Sequence, residues 1–116
     1  MPKISKNYFK IEMLLLKIIS LEDCYGYQIT QLIKELTDDY ISLAEGTLYP
    51  ILYKLIDLGF IKDYKRLVGK RKTRIYYSIT DSGIEYLSEL YSDYKKMNES
   101  IDKIMTLRRK ESNQIE

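Results

Sequence analysis

Seven cationic side chains lie between Lys62 and Arg74, opposed only by Asp63. This segment therefore carries a local charge of +6, although the whole chain has a formal net charge of only +2. From Glu22 to Glu45 the sign reverses, with six carboxylates against one lysine. Clustered lysine and arginine neutralise phosphate groups, so the cationic segment predicts a nucleic-acid backbone as its partner. The same charges on an exposed hairpin also guard a strand edge against aggregation, and this simpler interpretation stays open.

The stretch from Ala44 to Gly59 predicts a helix with two different faces. Its apolar face would contain Leu48, Ile51, Leu52, Leu55 and Leu58. Its other face would contain Tyr49, Pro50, Tyr53, Lys54 and Asp57. Proline is tolerated near the front of a helix, which places the start near Gly46 and Thr47, and Gly59 would end it. Free N–H groups, a hydroxyl and two phenols at such a helix start suit base edges or phosphates. Tyrosines of this kind are also common on ordinary surfaces and interfaces.

Several kinds of catalysis are excluded by residues that the sequence lacks. Histidine is absent and Cys24 is the single cysteine. Ser-His-Asp and Cys-His catalysis, a zinc site and an internal disulfide are therefore ruled out. The five glycines, at positions 26, 46, 59, 69 and 83, do not have the spacing of a nucleotide-phosphate loop. We therefore expect no enzymatic activity, no metal and no cofactor.

Length and composition predict one soluble domain of 116 residues. Hydrophobic residues make up 45% of the chain and charged residues 31%, which is ordinary for a soluble protein. No apolar run approaches the roughly 18 residues that a membrane span requires. No secretory signal pattern is present at the start of the chain. These features predict a cytoplasmic protein without a membrane partner.

The elements that would position the two candidate segments follow in chain order. A first helix is expected from Tyr8 to Ile19, and its apolar residues are too numerous for a single stripe. A second helix would begin at Gly26, with an apolar stripe formed by Ile29, Leu32, Ile33 and Leu36. Alternation at Ile41–Leu43 predicts a very short strand. After the central helix, strands at Phe60–Leu67 and Thr73–Ile79 form a hairpin with a basic turn around Gly69, and Ile75, Tyr77 and Ile79 share one side.

A long helix is expected after the hairpin, capped by Thr80 or by Ser82, the latter in a capping box with Glu85. Two series of apolar residues recur every seven positions, namely Leu87, Tyr94 and Ile101, and Leu90, Met97 and Ile104. Together these six residues would form one apolar stripe along the helix, the heptad seam. A helix of some 25 residues would be about 37 Å long, which exceeds what so small a domain can cover. We therefore expect an obligate homodimer.

The expected fold class is mainly α with a small β-hairpin. Helix, helix, short strand, helix and hairpin is the order of a winged helix-turn-helix. We expect a winged helix domain at residues 1–80, a C-terminal dimerisation helix at 81–110 and a tail at 111–116.

Five motifs in this order resemble the PadR family of transcriptional regulators over about residues 10 to 105. They are Gly26-Tyr27-Gln28-Ile29, Glu45-Gly46-Thr47-Leu48-Tyr49-Pro50, Leu55 with Gly59 and Ile61, Arg74 with Tyr76-Tyr77, and Thr80 with Gly83. The single C-terminal helix is similar to that of the compact branch of the family.

The resemblance implies a homodimeric, sequence-specific regulator of transcription, a repressor bound to a palindromic double-stranded DNA operator. The third helix would enter the major groove, with Tyr49 as the first choice for an essential contact. The β-hairpin, called the wing in this fold, would neutralise phosphate charges of the neighbouring DNA backbone. The residues so implied for DNA binding are Gly46, Thr47, Tyr49, Pro50, Tyr53, Lys54, Lys70, Arg71, Lys72 and Arg74.

The resemblance also implies that the last helix of each subunit packs on the first helix of the other. The expected dimer interface contains Phe9, Met13, Leu16, Leu87, Leu90, Tyr94, Met97, Ile101 and Ile104. Some family members release DNA when a planar aromatic or drug-like effector enters a space between the subunits. Such relatives are associated with a tryptophan on the last helix, which this chain lacks. Tyr91, Tyr94 and Met97 would line such a pocket here or, as heptad packing favours, simply fill the seam.

A second function class is a protein-interaction adaptor that kept the winged-helix dimer and binds a protein, without binding DNA, through the tyrosine-rich helix. An adaptor would not need the cationic hairpin.

Overall fold

The computed structural model describes residues 10–110, and this part of the chain contains four helices and three strands. The helices are α1 (Ile11–Leu21), α2 (Gly26–Leu36), α3 (Glu45–Asp57) and α4 (Asp81–Met105). The strands are β1 (Cys24–Tyr25), β2 (Ile61–Leu67) and β3 (Thr73–Ile79), in the spatial order β1-β3-β2 with antiparallel pairing throughout. The expected fold class is confirmed: a mainly helical chain with a small hairpin and a long last helix.

Helix α1 lies at the centre of the core, which explains its excess of apolar residues. Leu15, Leu16 and Ile19 are at most 1% exposed. The apolar side of α3 packs in the same core, where Leu48, Leu52 and Leu55 are completely buried. Burial of each such side chain contributes about 1.5 to 3 kcal/mol, so the shared core holds both α1 and α3 in place.

Some predicted element ends and faces were wrong. Helix α1 begins at Ile11 in the described residues and continues to Leu21, two residues beyond the predicted end. Leu58 is 53% exposed because α3 ends at Asp57 and Leu58 is its C-cap. Leu36 is the last residue of α2 and is 73% exposed. Gly59 follows α3 as predicted, with a φ of +81°.

The strand predicted at Ile41–Leu43 is not formed. The Thr37 hydroxyl donates to the Ile33 carbonyl (2.8 Å) and accepts from the Ile41 N–H (3.0 Å), and Asp38 has a positive φ of 51°. These contacts curl the segment back on α2 and occupy a backbone donor that a strand would need. The edge of β3 is instead covered by β1, where Cys24 pairs with Tyr77.

The hairpin and its basic turn are formed as predicted. Ile61 faces Ile79 at its base and Leu67 faces Thr73 at its tip, where the Val68 N–H donates to the Lys72 carbonyl at 2.8 Å. Strand β2 starts at Ile61, one residue later than predicted. The hairpin therefore projects residues 68–72 away from the core.

Helix α4 is capped by Thr80, whose hydroxyl accepts from the Gly83 N–H at 3.1 Å. The predicted capping box at Ser82 is wrong, because the Ser82 hydroxyl donates to the Gly59 carbonyl. A Cβ at Gly83 would collide with the Phe60 carbonyl oxygen, so only glycine allows α4 to approach the hairpin this closely. The helix has 25 residues, as expected.

Among residues 10–110, only the first part of the heptad seam on α4 is covered by other elements of the fold. Leu90 is 9% exposed, whereas Met97, Ile101 and Ile104 are 40%, 41% and 68% exposed. The second half of the seam is therefore an apolar surface without cover from the described residues.

Candidate nucleic-acid interface

The outward face of α3 carries Gly46, Pro50 and Tyr53. All three are exposed, and Tyr53 is 58% exposed. The helix starts at Glu45, and no side chain caps its first turn. Pro50 lies one turn in and has no N–H to donate to the Gly46 carbonyl, and the surface around Gly46 is open. This helix start offers unpaired backbone groups and little side-chain bulk, which suits close approach to another molecule.

Tyr49 is placed on the flank of α3 and not on its outward face. Its ring is half-buried, and its hydroxyl touches Gly26 at the start of α2, where any Cβ would overlap the phenol. Burial, with the nearby charge of Glu45, raises the pKa of Tyr49. Its ring centroid is 6.2 Å from that of Tyr53. Tyr49 therefore supports Tyr53 and presents one edge to the surface.

A cleft of about 360 Å³ lies between the start of α2, the flank of α3 and strand β3. Its principal lining side chains are Tyr25, Tyr27, Tyr49, Tyr53, Arg74 and Tyr77. Burial and neighbouring groups raise the pKa of Tyr77 to about 12, so this phenol is protonated at neutral pH. The cleft combines aromatic walls with one guanidinium, which are groups that contact sugars, bases and phosphates.

The outer face of the sheet carries an arginine and tyrosine ladder that the sequence reasoning missed. Arg66 and Arg74 are cross-strand partners, and like charges so placed repel. The Arg66 guanidinium lies 4.5 Å from the ring centroid of Tyr76, and that of Arg74 lies 4.2 Å from Tyr25. Cation–π contact offsets the repulsion and holds both cations at the hairpin surface. The alternation of side chains between the two faces of β2 and β3 is the sequence signal that could have predicted this pair.

The wing tip carries Lys70, Arg71 and Lys72, all exposed, on the turn after Gly69. Arg74 differs from them because it is partly buried and lies at the cleft. The predicted wing cations therefore form two groups, three on the exposed turn and one on β3 beside the cleft.

Lys54 is turned away from the cleft toward α1. Its ammonium donates to Glu12 Oε2 at 2.8 Å. The sequence placed Lys54 on the same face as Tyr49, Pro50 and Tyr53. In the structure the Lys54 side chain is directed to α1, whereas Tyr49 lies against the start of α2. Gly46, Thr47 and Pro50 are exposed at the front of α3.

The residues expected at the dimer interface divide into covered and uncovered sets. Leu16 is fully buried by its own chain, so it has no surface left for a partner, and Met13 is only 7% exposed. Phe9 lies outside the described residues, as does the tail at 111–116. Leu87 and Tyr94 are partly buried, and the last three seam residues are exposed.

A groove of about 510 Å³ lies between α1 and α4. Tyr91 lines it together with Met13, Leu14 and Leu87. Tyr94 stacks on Tyr91 at 6.4 Å between ring centroids, but the lining of the groove includes neither Tyr94 nor Met97. Of the three residues predicted for an effector pocket, the structure therefore brings only Tyr91 into the groove.

Helices α1, α2 and α3 followed by a β-hairpin define a winged helix-turn-helix protein. Residues 15–89 match the transcriptional regulator PadR-like family, and the chain belongs to that family. It is therefore a transcriptional regulator and not an enzyme.

Similarity to individual proteins agrees with this assignment. The chain is 32% identical over 76 residues to the negative transcriptional regulator PadR of Bacillus subtilis, covering 66% of this chain but 42% of that protein. It superimposes on a crystal structure from Streptococcus mutans with a TM-score of 0.74 at 39% identity, covering 88% of this chain and 92% of that one. A transcriptional regulator from Clostridium thermocellum also gives a TM-score of 0.74, at 31% identity, covering 80% and 90%.

Within residues 10–110, no helix has both the length and the apolar character needed to cross a lipid bilayer. The same residues contain no group of three or more acidic or cysteine side chains placed to hold a metal ion.

Proposed function

We propose that this regulator is a homodimeric repressor that binds a palindromic operator in double-stranded DNA. The observation that carries the proposal is the cleft that the flank of α3 shares with Arg74, on strand β3 of the cationic wing. A helix with an uncapped, exposed start lies beside a cationic strand, so a major groove and its neighbouring phosphate strand can be engaged together.

In this proposal each α3 enters a major groove. Gly46, Thr47, Pro50 and Tyr53 face base edges, and Tyr49 supports Tyr53 and offers its exposed edge. Lys70, Arg71 and Lys72 neutralise phosphates beyond the groove, and Arg74 contacts the strand that crosses the cleft. Phosphate contacts supply affinity, whereas the groups on α3 supply the choice of sequence.

The dimer is inferred from the uncovered half of the α4 seam. Met97, Ile101 and Ile104 form an apolar stripe that a second copy would bury by helix pairing. Two-fold symmetry then places two α3 helices about 34 to 36 Å apart, one turn of DNA. An apolar, planar effector would enter the groove between α1 and α4, where Tyr91 offers a ring for stacking.

Selection of bound duplexes from a random pool tests the proposal. We expect an inverted repeat to be enriched, bound by two chains per duplex. Candidate planar aromatic compounds are added to the selected complex, and release identifies an effector. Enrichment of no sequence, together with capture of a protein through the α3 surface, would instead support the adaptor function.

A further inference from the structure

Glu12 is the only charged side chain that is buried within residues 10–110, at 6% exposure. It lies in the first turn of α1, where the helix dipole favours a negative charge. Each carboxylate oxygen of Glu12 accepts a hydrogen bond from a side chain of another helix. Lys54 of α3 donates to Oε2 at 2.8 Å, and Tyr86 of α4 donates to Oε1 at 2.7 Å. One carboxylate therefore connects three helices.

The carboxylate keeps its charge in this site. Burial alone would raise the pKa of Glu12, but hydrogen bonds from Lys54 and Tyr86 and the charges of Lys54 and Lys10 outweigh it and leave the pKa below its ordinary value. Tyr86 is held in turn by stacking on Phe60, with ring centroids 4.3 Å apart. A buried charge with both oxygens hydrogen-bonded has few alternative arrangements, so the three helices have a defined relative position.

The position of Lys54 gives this connection a functional meaning. Lys54 directly follows Tyr53 on α3, and Glu12 and Tyr86 lie on the two helices that border the groove and lead to the uncovered seam. The contact therefore joins the element proposed to read DNA to the elements proposed to pair the subunits.

We propose that Glu12 is a positioning residue that fixes α3 relative to α1 and α4, and that Lys54 acts through Glu12 and does not bind a phosphate. This inference rests on the proposed function. In a dimer the orientation of each α3 relative to α4 sets the separation of the two reading helices. Glu12 thereby determines which half-site spacing the dimer accepts.

The test uses the full-length protein and the duplex enriched by the selection described above. Glu12→Gln keeps the shape of the side chain and removes its charge. Lys54→Met keeps the stem and removes the ammonium, Lys54→Arg keeps a cation, and the double variant combines Glu12→Gln with Lys54→Met. The matched control is Glu85→Gln, the same change at an exposed position of α4. Circular dichroism and sedimentation verify that each variant is folded and has the association state of the parent.

If Glu12 and Lys54 act together to position α3, four results are expected. Glu12→Gln and Lys54→Met each weaken binding to the selected duplex about tenfold, a coupling of ordinary size, while binding to an unrelated duplex changes less than about twofold. Both flatten the preference for the selected spacing over duplexes lengthened by one or two base pairs. The double variant is no weaker than either single variant, because the two residues act as one unit. Lys54→Arg restores the spacing preference.

The alternative role of Lys54 gives a different result. If its ammonium bound a phosphate, Lys54→Met would reduce the slope of log affinity against log salt by about 0.9, and the losses in the double variant would add. Either result overturns the inference, as does unchanged spacing preference in Glu12→Gln. If Glu12→Gln fails to fold, Tyr86→Phe removes one hydrogen bond and keeps the ring on Phe60, and the same flattening is expected. A parent protein that selects no duplex would defeat the proposed function itself, and the inference with it.

Discussion

Neutralising the wing tip gives the most quantitative prediction. Lys70, Arg71 and Lys72 are exposed on the turn that projects beyond the sheet, so their replacement by alanine leaves the core intact. Each phosphate contact contributes about 0.9 to the slope of log affinity against log salt, and three contacts contribute about 2.7. We therefore expect the triple variant to bind every duplex more weakly at low salt and to lose about 2.7 from this slope.

The assay is fluorescence anisotropy of the selected duplex and of an unrelated duplex over a range of salt concentrations. Replacement of Arg108, Arg109 and Lys110 by alanine is the matched control. These three cations are also exposed, but they follow α4 and lie far along the chain from the wing. Both variants lower the formal net charge from +2 to −1. Equal slopes for the two variants would refute the assignment of the wing, because the effect would then come from net charge alone.

The remaining predictions concern the helix face, the seam and the buried carboxylate. Tyr53→Ala should weaken binding to the selected duplex without lowering the melting temperature, because its ring is 58% exposed, whereas Tyr49→Ala should lower both; equal losses of melting temperature would remove the distinction. Met97→Asp combined with Ile101→Asp should yield folded monomers by analytical ultracentrifugation, and a persistent dimer would contradict the seam. Because the folded state lowers the pKa of Glu12, its contribution to stability is present above the unfolded pKa and lost as pH falls through the folded pKa. Urea unfolding from pH 7 down to about pH 3, across the usual carboxylate range, should therefore show a steeper loss of stability in the parent than in Glu12→Gln, and parallel curves would oppose this.

Elements with a strong period or a clear end signal could be predicted from the sequence. The change of period after Gly59 predicted the hairpin, and seven-residue recurrence predicted α4 with 25 residues. Thr80 was one of two expected caps and forms the cap. In these cases the signal is local, so neighbouring residues are sufficient to determine it.

Features that depend on distant partners were missed. The strand β1 has only two residues, and it exists because β3 offers a free edge. The ion pair between Lys54 and Glu12 joins residues 42 positions apart, which no periodicity reveals. For the same reason Tyr49 was assigned to the outward face of α3, although the neighbouring α2 covers its ring. Helical spacing identifies faces approximately, and the packing of other helices decides which flank is exposed.

A hydroxyl-radical footprint of the protein on its selected duplex tests the central claim most directly. Two subunits that each place α3 in a major groove should protect two stretches related by a two-fold axis, with centres about 34 to 36 Å apart. One continuous protected patch without symmetry, or no protection at concentrations that saturate binding, would contradict the account.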